Sequence, residues 1–295
     1  MKKLLSILLV LAMVFGLGAC GSKADSVEGF EAELQAILDN ASEDSLKRVL
    51  DAGEMICGTE GNWLPYAYYS DADAEYFTGF HAEVARAVCE KLGVEAKFNV
   101  ASQFDGILAG LQAKRFDCIS MGLKGYVVEP FEGLTNATLY NQDMPVIIVA
   151  ADNTDIVDIA SLNGKKAGNS TTSSYGRIAY ENGCDCNPDL DFAMAINGII
   201  NGTIDLTVNS MVAYNNYLSK YPKAADKIKI GFIYEPPTPE YLWGGITLRS
   251  ADASLLAAVN LATEELLKDG TIIALAEEFL GAEFAASATI YDPYR

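Results

Sequence analysis

The chain has 295 residues, 40 of them acidic against 21 basic, for a formal charge of −19. Such a chain repels nucleic-acid phosphates and anionic membrane surfaces, which excludes both as docking partners; the acidity serves to solvate an exported exterior. Half of the residues are hydrophobic, enough at this length to build two cores of ordinary domain size.

Lys2 and Lys3 precede an uncharged run, Leu4 to Leu17, that ends in Leu17-Gly18-Ala19-Cys20-Gly21. The run matches a signal-peptide core and is too short for a comfortable bilayer span. Residues 1–19 therefore read as a signal peptide and lie outside the fold. Residues 20–44 follow as a tether, polar over 21–28, with a short helical pattern from Phe30 to Leu38. No second long apolar run follows.

The next pattern is helix Ser45–Leu50 and strand Glu54–Gly58. Phe80, Val84, Val88 and Leu92 recur at helical spacing, and Gly93 suits the C-terminal cap. Val94–Val100 alternates as a strand. Ser102 can cap a helix carrying Phe104, Ile107, Leu108 and Leu111, and Phe116–Met121 is a strand. The apolar run Met144–Ala150 is long enough to cross into a second lobe, where the alternation restarts. It gives strand Lys165–Gly168, helix Ser174–Tyr180, strand Ile204–Val208, helix Ser210–Leu218 and strand Ile228–Phe232. Trp243–Leu248 is a second crossing, and helices Ala253–Leu267 and Ile272–Leu280 close the pattern. Alternation of this kind predicts α/β lobes with mostly parallel sheets flanked by helices. The expected boundaries are 45–143 with 243–295 for lobe 1 and 144–242 for lobe 2, joined by a two-strand hinge. In such sheets the ligand site lies beyond the carboxyl ends of the strands, which points to the loops after Gly58, Met121, Gly168 and Val208.

Of six cysteines, five remain beyond Cys20: Cys57, Cys89, Cys118, Cys184 and Cys186. An odd number cannot all pair internally. They read as buried thiols, with a Cys57–Cys118 disulfide as the alternative. Cys184-Asp185-Cys186 lacks a partner pair at zinc-site spacing, so neither a metal nor any cofactor is expected.

Several motifs, taken together in order, resemble the bacterial extracellular solute-binding proteins, family 3. They are Leu46-Lys47-Arg48-Val49-Leu50-Asp51-Ala52-Gly53, Gly58-Thr59, Trp63-Leu64-Pro65-Tyr66 and Gly79-Phe80-His81. Ser102 to Ile107, Leu111 to Asp117, Leu162 to Gly168, Gly202 to Asp205, Val259-Asn260 and Asp269-Gly270 complete the series. The resemblance covers roughly residues 47–281. It implies a two-lobed periplasmic-binding-protein-like fold of type II and binding of an amino acid or related small polar organic solute for an ABC importer. The segment ending at Cys20 resembles a lipobox, which implies diacylglycerol on that cysteine and an extracytoplasmic, lipid-anchored location. The expected partners are the solute, the permease subunits and the membrane through the anchor, and the expected state is a monomer. The alternatives are an enzyme on the same scaffold, of cyclohexadienyl-dehydratase type, and a ligand-sensing lipoprotein.

The resemblance also carries over to single positions. Trp63 and Tyr66 stand where the family stacks rings on the ligand, with Tyr68, Tyr69, Tyr76 and Phe77 nearby. Met121, Gly122 and Lys124 close the central strand of lobe 1. Thr172, Ser173 and Ser174 open a helix whose free N–H groups suit a carboxylate. Two positions depart from the pattern. Glu129 stands where the family has its carboxylate-clamping arginine, and Ser210, after Asn209, where it has the aspartate for the ligand ammonium. Lys124 is the candidate to replace the missing cation. The common free α-amino acids are therefore expected to bind weakly, and a modified amino acid, short peptide or amine-bearing metabolite better. His81, the one histidine, reads as exposed and without a role.

Overall fold

The computed structural model describes residues 22–70, 75–101, 104–124, 131–236 and 242–282. Two compact units divide the chain, Met1–Asn40 and Ala41–Arg295. The first contains helix α1 (Ser22–Asp39), which ends with the Gln35 amide donating to Asp39 and the Asn40 amide to the Ala36 carbonyl, both at 2.8 Å. The polar stretch read as a tether is thus helical from Ser22. Polar composition does not break a helix, and its one glycine, Gly29, costs only about 1 kcal/mol.

The second unit is built on two larger sheets and a small one. The first sheet runs β5 (Glu95–Val100), β1 (Glu54–Thr59), β6 (Cys118–Lys124), β14 (Trp243–Arg249), β7 (Leu134–Asn136), with β8 (Asn141–Gln142) also on β14. The second runs β11 (Asp185–Cys186), β10 (Lys166–Ala167), β12 (Leu206–Ser210), β9 (Pro145–Ala150), β13 (Ile228–Ile233). A three-stranded sheet, β2 (Asn62–Trp63), β3 (Ala67–Tyr69) and β4 (Phe77–Thr78), follows β1.

Strand position follows from composition. Every residue of β6 and of β12 is buried, as suits central strands covered on both faces. β5 alternates exposed and half-buried, as suits an edge. Both large sheets are mixed rather than mostly parallel. β1, β5 and β6 are parallel, as are β10, β11 and β12, but β14 runs antiparallel to β6 and β9 antiparallel to β12. The reason is where these two strands enter. Pro145 starts opposite Ser210 at the end of β12, and Gly244 starts opposite Lys124 at the end of β6. A chain arriving where parallel strands finish can only run back along them. The crossings themselves are short and bonded together, Asp143 N to Leu242 O at 3.2 Å and Tyr234 N to Pro145 O at 2.9 Å.

Helices α2 (Ser45–Ala52), α3 (Phe80–Lys91), α4 (Asp105–Gln112), α8 (Ala253–Lys268) and α9 (Thr271–Leu280) belong to the first lobe. Gly93, at φ +76°, follows the end of α3 as expected. Ser102, the expected cap of α4, lies outside the described residues. Glu43 caps two helices at once: it accepts from the Ser45 and Ser254 amides, each at 2.7 Å, and from both hydroxyls. Asp117 joins α2 to the sheet, accepting from Arg48 and from the Ile56 amide at 2.8 Å each. Cys57 and Cys118 face each other in register as free thiols, Sγ to Sγ 3.5 Å.

The second lobe carries α5 (Ser174–Glu181), α6 (Phe192–Ile200) and α7 (Met211–Lys220). Helix α6 escapes periodicity because Phe192-Ala-Met-Ala-Ile-Asn-Gly-Ile-Ile is apolar on nearly every face. Its start was nonetheless signalled by Asp191, whose carboxylate accepts from Met194 N at 2.8 Å. No helix among the described residues is long and apolar enough to cross a membrane.

Candidate functional site

A cavity of about 350 Å³ lies beyond the carboxyl ends of β1, β6, β10 and β12, within the usual range for a small-molecule site. The loops named by the strand-end rule supply it. Glu60, Asn62 and Trp63 come from the segment after β1, and Met121, Gly122, Leu123 and Lys124 from the end of β6. Gly168 to Ser170 and Ser173 to Tyr175 come from the segment after β10, and Thr207 and Asn209 from β12.

Local chemistry explains each wall. Trp63 packs into the buried clusters of both lobes. Its ring lies 4.4 Å from that of Tyr66 and 6.2 Å from that of Tyr175, edge-on to the latter, and its Nε1 donates to Asn209 at 3.3 Å. Tyr66 is fully buried and stacks on His81 at 5.0 Å. It therefore backs the aromatic wall instead of lining the cavity. His81 is not exposed at all, contrary to its reading from sequence. Its Nδ1 bonds Tyr140 OH at 2.9 Å, and burial, then the nearby Lys124 charge, holds it well below its ordinary pKa and so neutral. Gly122 is required above it: φ is +57°, and a Cβ there would stand 2.3 Å from the imidazole. Gly244 is required on the next strand, where a Cβ would meet Gly122 O at 2.0 Å.

Lys124 is 4 % exposed, lines the cavity, and its Nζ has no hydrogen-bond partner among the described residues. Burial lowers its pKa to about 8, against a smaller upward pull from Asp143. An unpartnered buried ammonium calls for an anion. The wall opposite offers donors. Ser173 caps α5, its hydroxyl accepting from Gly176 N at 3.0 Å, and Ser174 opens the helix. Asn169 is locked, its amide donating to Val208 O and accepting from Val208 N, both at 2.9 Å.

Behind this wall runs a hydrogen-bond chain that ties the lobes. Ser210 caps α7 and gives its proton to Asp143 at 2.8 Å, which leaves Tyr66 OH as donor to Ser210 Oγ at 2.8 Å. Tyr175 OH donates to the other Asp143 oxygen, and Asn62 reaches Asp191 at 2.9 Å.

Of the residues singled out from sequence, Trp63, Met121, Gly122, Lys124, Ser173, Ser174 and Asn209 line one cavity. Tyr66, Thr172 and Ser210 sit behind it; Thr172 turns to Ser170. Tyr69 and Tyr76 are exposed, and Phe77 packs on Phe98. Glu129 and Cys20 lie outside the described residues. Sequence reasoning missed Glu60, Asp143 and Asp191, and it took the segment that holds Tyr175 for its hydroxyls and N–H groups and not for the ring. Glu60 stood in a loop that the strand-end rule named, and Asp191 before an apolar run, but nothing local in sequence marks Asp143. Among the described residues no group of three or more His, Cys, Asp or Glu side chains could hold a metal ion.

Two α/β lobes, a cavity between their strand ends and hydrogen bonds across it define the architecture of a solute-binding protein. The family model of the bacterial extracellular solute-binding proteins, family 3, matches residues 55–282, and the chain belongs to that family. It is similar to the L-cystine-binding protein TcyA of Bacillus subtilis, 29 % identical over 284 residues that cover 96 % of this chain and 99 % of the relative. A probable amino-acid ABC transporter-binding protein of Haemophilus influenzae is 29 % identical over 79 % of this chain and 87 % of its own. The solved L-cystine solute receptor of Neisseria gonorrhoeae, unliganded and open, is 30 % identical, with a TM-score of 0.52 over 83 % of this chain and 99 % of the receptor. An ancestral arginine-binding protein bound to arginine is 26 % identical with a TM-score of 0.66, over 78 % and 99 %. The more identical neighbour superposes less well. That receptor is in the open conformation, whereas Asn62, Trp63 and Tyr66 here bond across the cleft.

Proposed function

We propose that this protein is an extracytoplasmic, lipid-anchored receptor that binds an amino-acid-type solute between its lobes and hands it to an ABC permease. The lobes are 45–143 with 243–295, and 144–242. The observation that carries the ligand class is Lys124, an unpartnered buried cation in a cavity that also holds the N-terminus of α5. Together they suit a carboxylate. Trp63 and Tyr175 take the apolar part of the solute. The names of the relatives support an amino acid or L-cystine. The altered Glu129 and Ser210 positions favour a modified or dimeric amino acid over the common free ones. No nucleophile-and-base pair enters this reading, and the protein releases its solute unchanged.

Calorimetry on refolded, ligand-stripped protein with L-cystine and the twenty common amino acids tests it. The expected result is micromolar or tighter binding of L-cystine or another modified amino acid; heat from none of them overturns the proposal. The anchor is tested by Cys20→Ala, which should move the protein out of the membrane fraction. Unchanged retention would refute lipidation at that residue.

A further inference from the structure

Among the described residues Lys124 is the one basic side chain that lines the cavity, and its buried Nζ has no hydrogen-bond partner there. A carboxylate placed on it brings along whatever group its next carbon carries. The side-chain acceptors around that position decide what the group is, and the neutral ones are in use. Asn209 Oδ1 accepts from Trp63 Nε1 at 3.3 Å and from the Ser210 amide at 2.8 Å. Asn169 Oδ1 accepts from Val208 N at 2.9 Å and from Thr207 Oγ1 at 3.2 Å. Ser210 Oγ accepts from Tyr66 OH at 2.8 Å and from the Val212 amide at 3.0 Å, and gives its own proton to Asp143. Burial lowers Lys124, and among the described residues Asp143 is the one acid whose charge pulls the other way. Yet Asp143 does not line the cavity, and both its oxygens are taken. One accepts from Ser210 Oγ and from Met144 N at 2.8 Å each, the other from Tyr175 OH. Glu60, Asp189 and Asp191 do line the cavity. None of them acts on Lys124, and Glu60 responds to burial and then to Asp191, not to Lys124. They stand out of reach of a group on the carbon next to a carboxylate held there. That end of the cavity offers a cation and no accessible anion.

We infer that the bound solute has a carboxylate whose neighbouring carbon carries no ammonium, but an uncharged hydroxyl or acylated amino group. The inference rests on the amino-acid-type reading for the carboxylate at Lys124, and names what accompanies it. An α-ammonium there would be buried beside a like charge with no carboxylate to neutralise it. To find an acceptor it would have to take Asn209 from Trp63, or Ser210 from Tyr66, and so break a bond that joins the lobes. An uncharged α-substituent needs no anion and leaves both bonds in place.

The test is calorimetry on the ligand-stripped protein with matched forms of each side chain. The common amino acids and L-cystine are compared with their Nα-acetyl and α-hydroxy counterparts, and the carboxamide of each acetyl compound removes the carboxylate. Every binder is also titrated into Asn209→Asp, which keeps an acceptor for Trp63 and for the Ser210 amide and adds an anion on the cavity wall. The expected result is that an uncharged-α form binds wild type at least about 30-fold more tightly than the amino acid with the same side chain. Amidation should abolish that binding, and Asn209→Asp should lower the ratio at least about tenfold. A wild-type ratio below about 30, or one that a folded Asn209→Asp leaves unchanged, overturns the inference while leaving the amino-acid-type reading standing. Circular dichroism checks the fold of the variant, and the wild-type ratio decides alone if it is lost. A carboxamide bound as tightly as its acid removes the carboxylate reading and the inference with it. No binding by any probe overturns both.

Discussion

In the second lobe, every buried polar side-chain atom among the described residues has a hydrogen-bond partner. Asn169 is satisfied on both sides by β12, Ser210 by Asp143, Tyr66 and the start of α7, and Ser173 by its own helix. In the first lobe the opposite holds near the end of β6. His81 Nε2, Ser120 Oγ, Lys124 Nζ and both amide atoms of Asn141 are buried without partners, and Asn141 and Lys124 both face Gly244 in the strand register. Unsatisfied buried polar groups cost roughly 1–3 kcal/mol each. Their concentration on one side of the cleft shows a division of labour. The second lobe presents a finished surface of caps and hydroxyls, whereas the first holds a polar deficit of which the part at Lys124, the one of these residues that lines the cavity, is open to a solute.

The strongest way to break that contrast is Lys124→Met. If the first lobe stores an unpaired charge for the ligand, the variant should lose roughly 30- to 4,000-fold in affinity for the tightest amino-acid-type probe. The unliganded protein should at the same time gain about 1–3 kcal/mol of stability, since the desolvation of the buried cation outweighs the attraction of Asp143 that the variant gives up. Calorimetry and urea unfolding read the two effects. A variant that binds as wild type does, or that is destabilised, contradicts the assignment.

The same residue gives the contrast a pH signature. Lys124 falls from an ordinary value of 10.5 to about 8 on folding, so between these values the unfolded chain holds the extra proton. Stability of the unliganded protein should therefore rise with pH across about 8 to 10.5, and the Lys124→Met variant should lack that rise. Affinity for an anionic head group should move the other way and weaken as pH passes 8, because the ammonium that meets it is discharged. Parallel trends in stability and affinity would contradict the roles given to Lys124.

The contrast also separates what sequence can and cannot reveal. The lobes, the two crossings and the loops at the strand ends were legible because strand and helix periods and the motif order are local signals. So was Lys124, which stands at the end of a strand. Its lack of a partner was not legible, because that depends on β14 coming back beside β6, with β8 on β14 in turn. His81 illustrates the limit: a lone histidine at a helix start reads as solvated, and only the fold encloses it between Tyr66, Tyr140 and Phe80. Asp143 occupies the space beside Ser210 although 67 residues separate them. The short strands β2, β7, β8 and β11 offer too few residues for alternation to register.

Tyr66→Phe sharpens the comparison where the lobes touch. The variant removes the hydroxyl donated to Ser210 and keeps the ring that stacks on Trp63 and His81. One such bond contributes about 0.5–1.5 kcal/mol, so affinity should fall about 2- to 10-fold. The unliganded protein should also shift toward separated lobes, seen as a larger radius of gyration by small-angle scattering that saturating ligand reverses. If Tyr66 contacted the solute directly through its hydroxyl, the affinity loss would appear without any change in the unliganded radius.

The smallest effect comes from Glu43→Gln, which asks whether the deficit belongs to the first lobe as a whole or only to its cleft. Glu43 immediately precedes the first lobe and caps its helices α2 and α8, where it is fully engaged by Ser45 and Ser254. Burial pushes its pKa up, but the hydrogen bonds from Ser254 and Ser45 win and hold it at about 2. Its folded pKa is thus below its ordinary 4.5. The stabilisation it contributes is complete above 4.5 and is lost as pH falls toward 2. Glutamine keeps an acceptor but loses the charge at two helix N-termini, so the cost should be about 1 kcal/mol at pH 7 and should shrink toward zero in acid. Solute affinity should be unchanged, because a satisfied group in the scaffold gains nothing from the ligand. Urea unfolding at pH 7 and pH 3, with calorimetry at pH 7, measures all three. A matching loss of affinity would show that the first lobe's scaffold and its cleft are coupled, and that the division drawn above runs through the whole lobe and not through the binding wall alone.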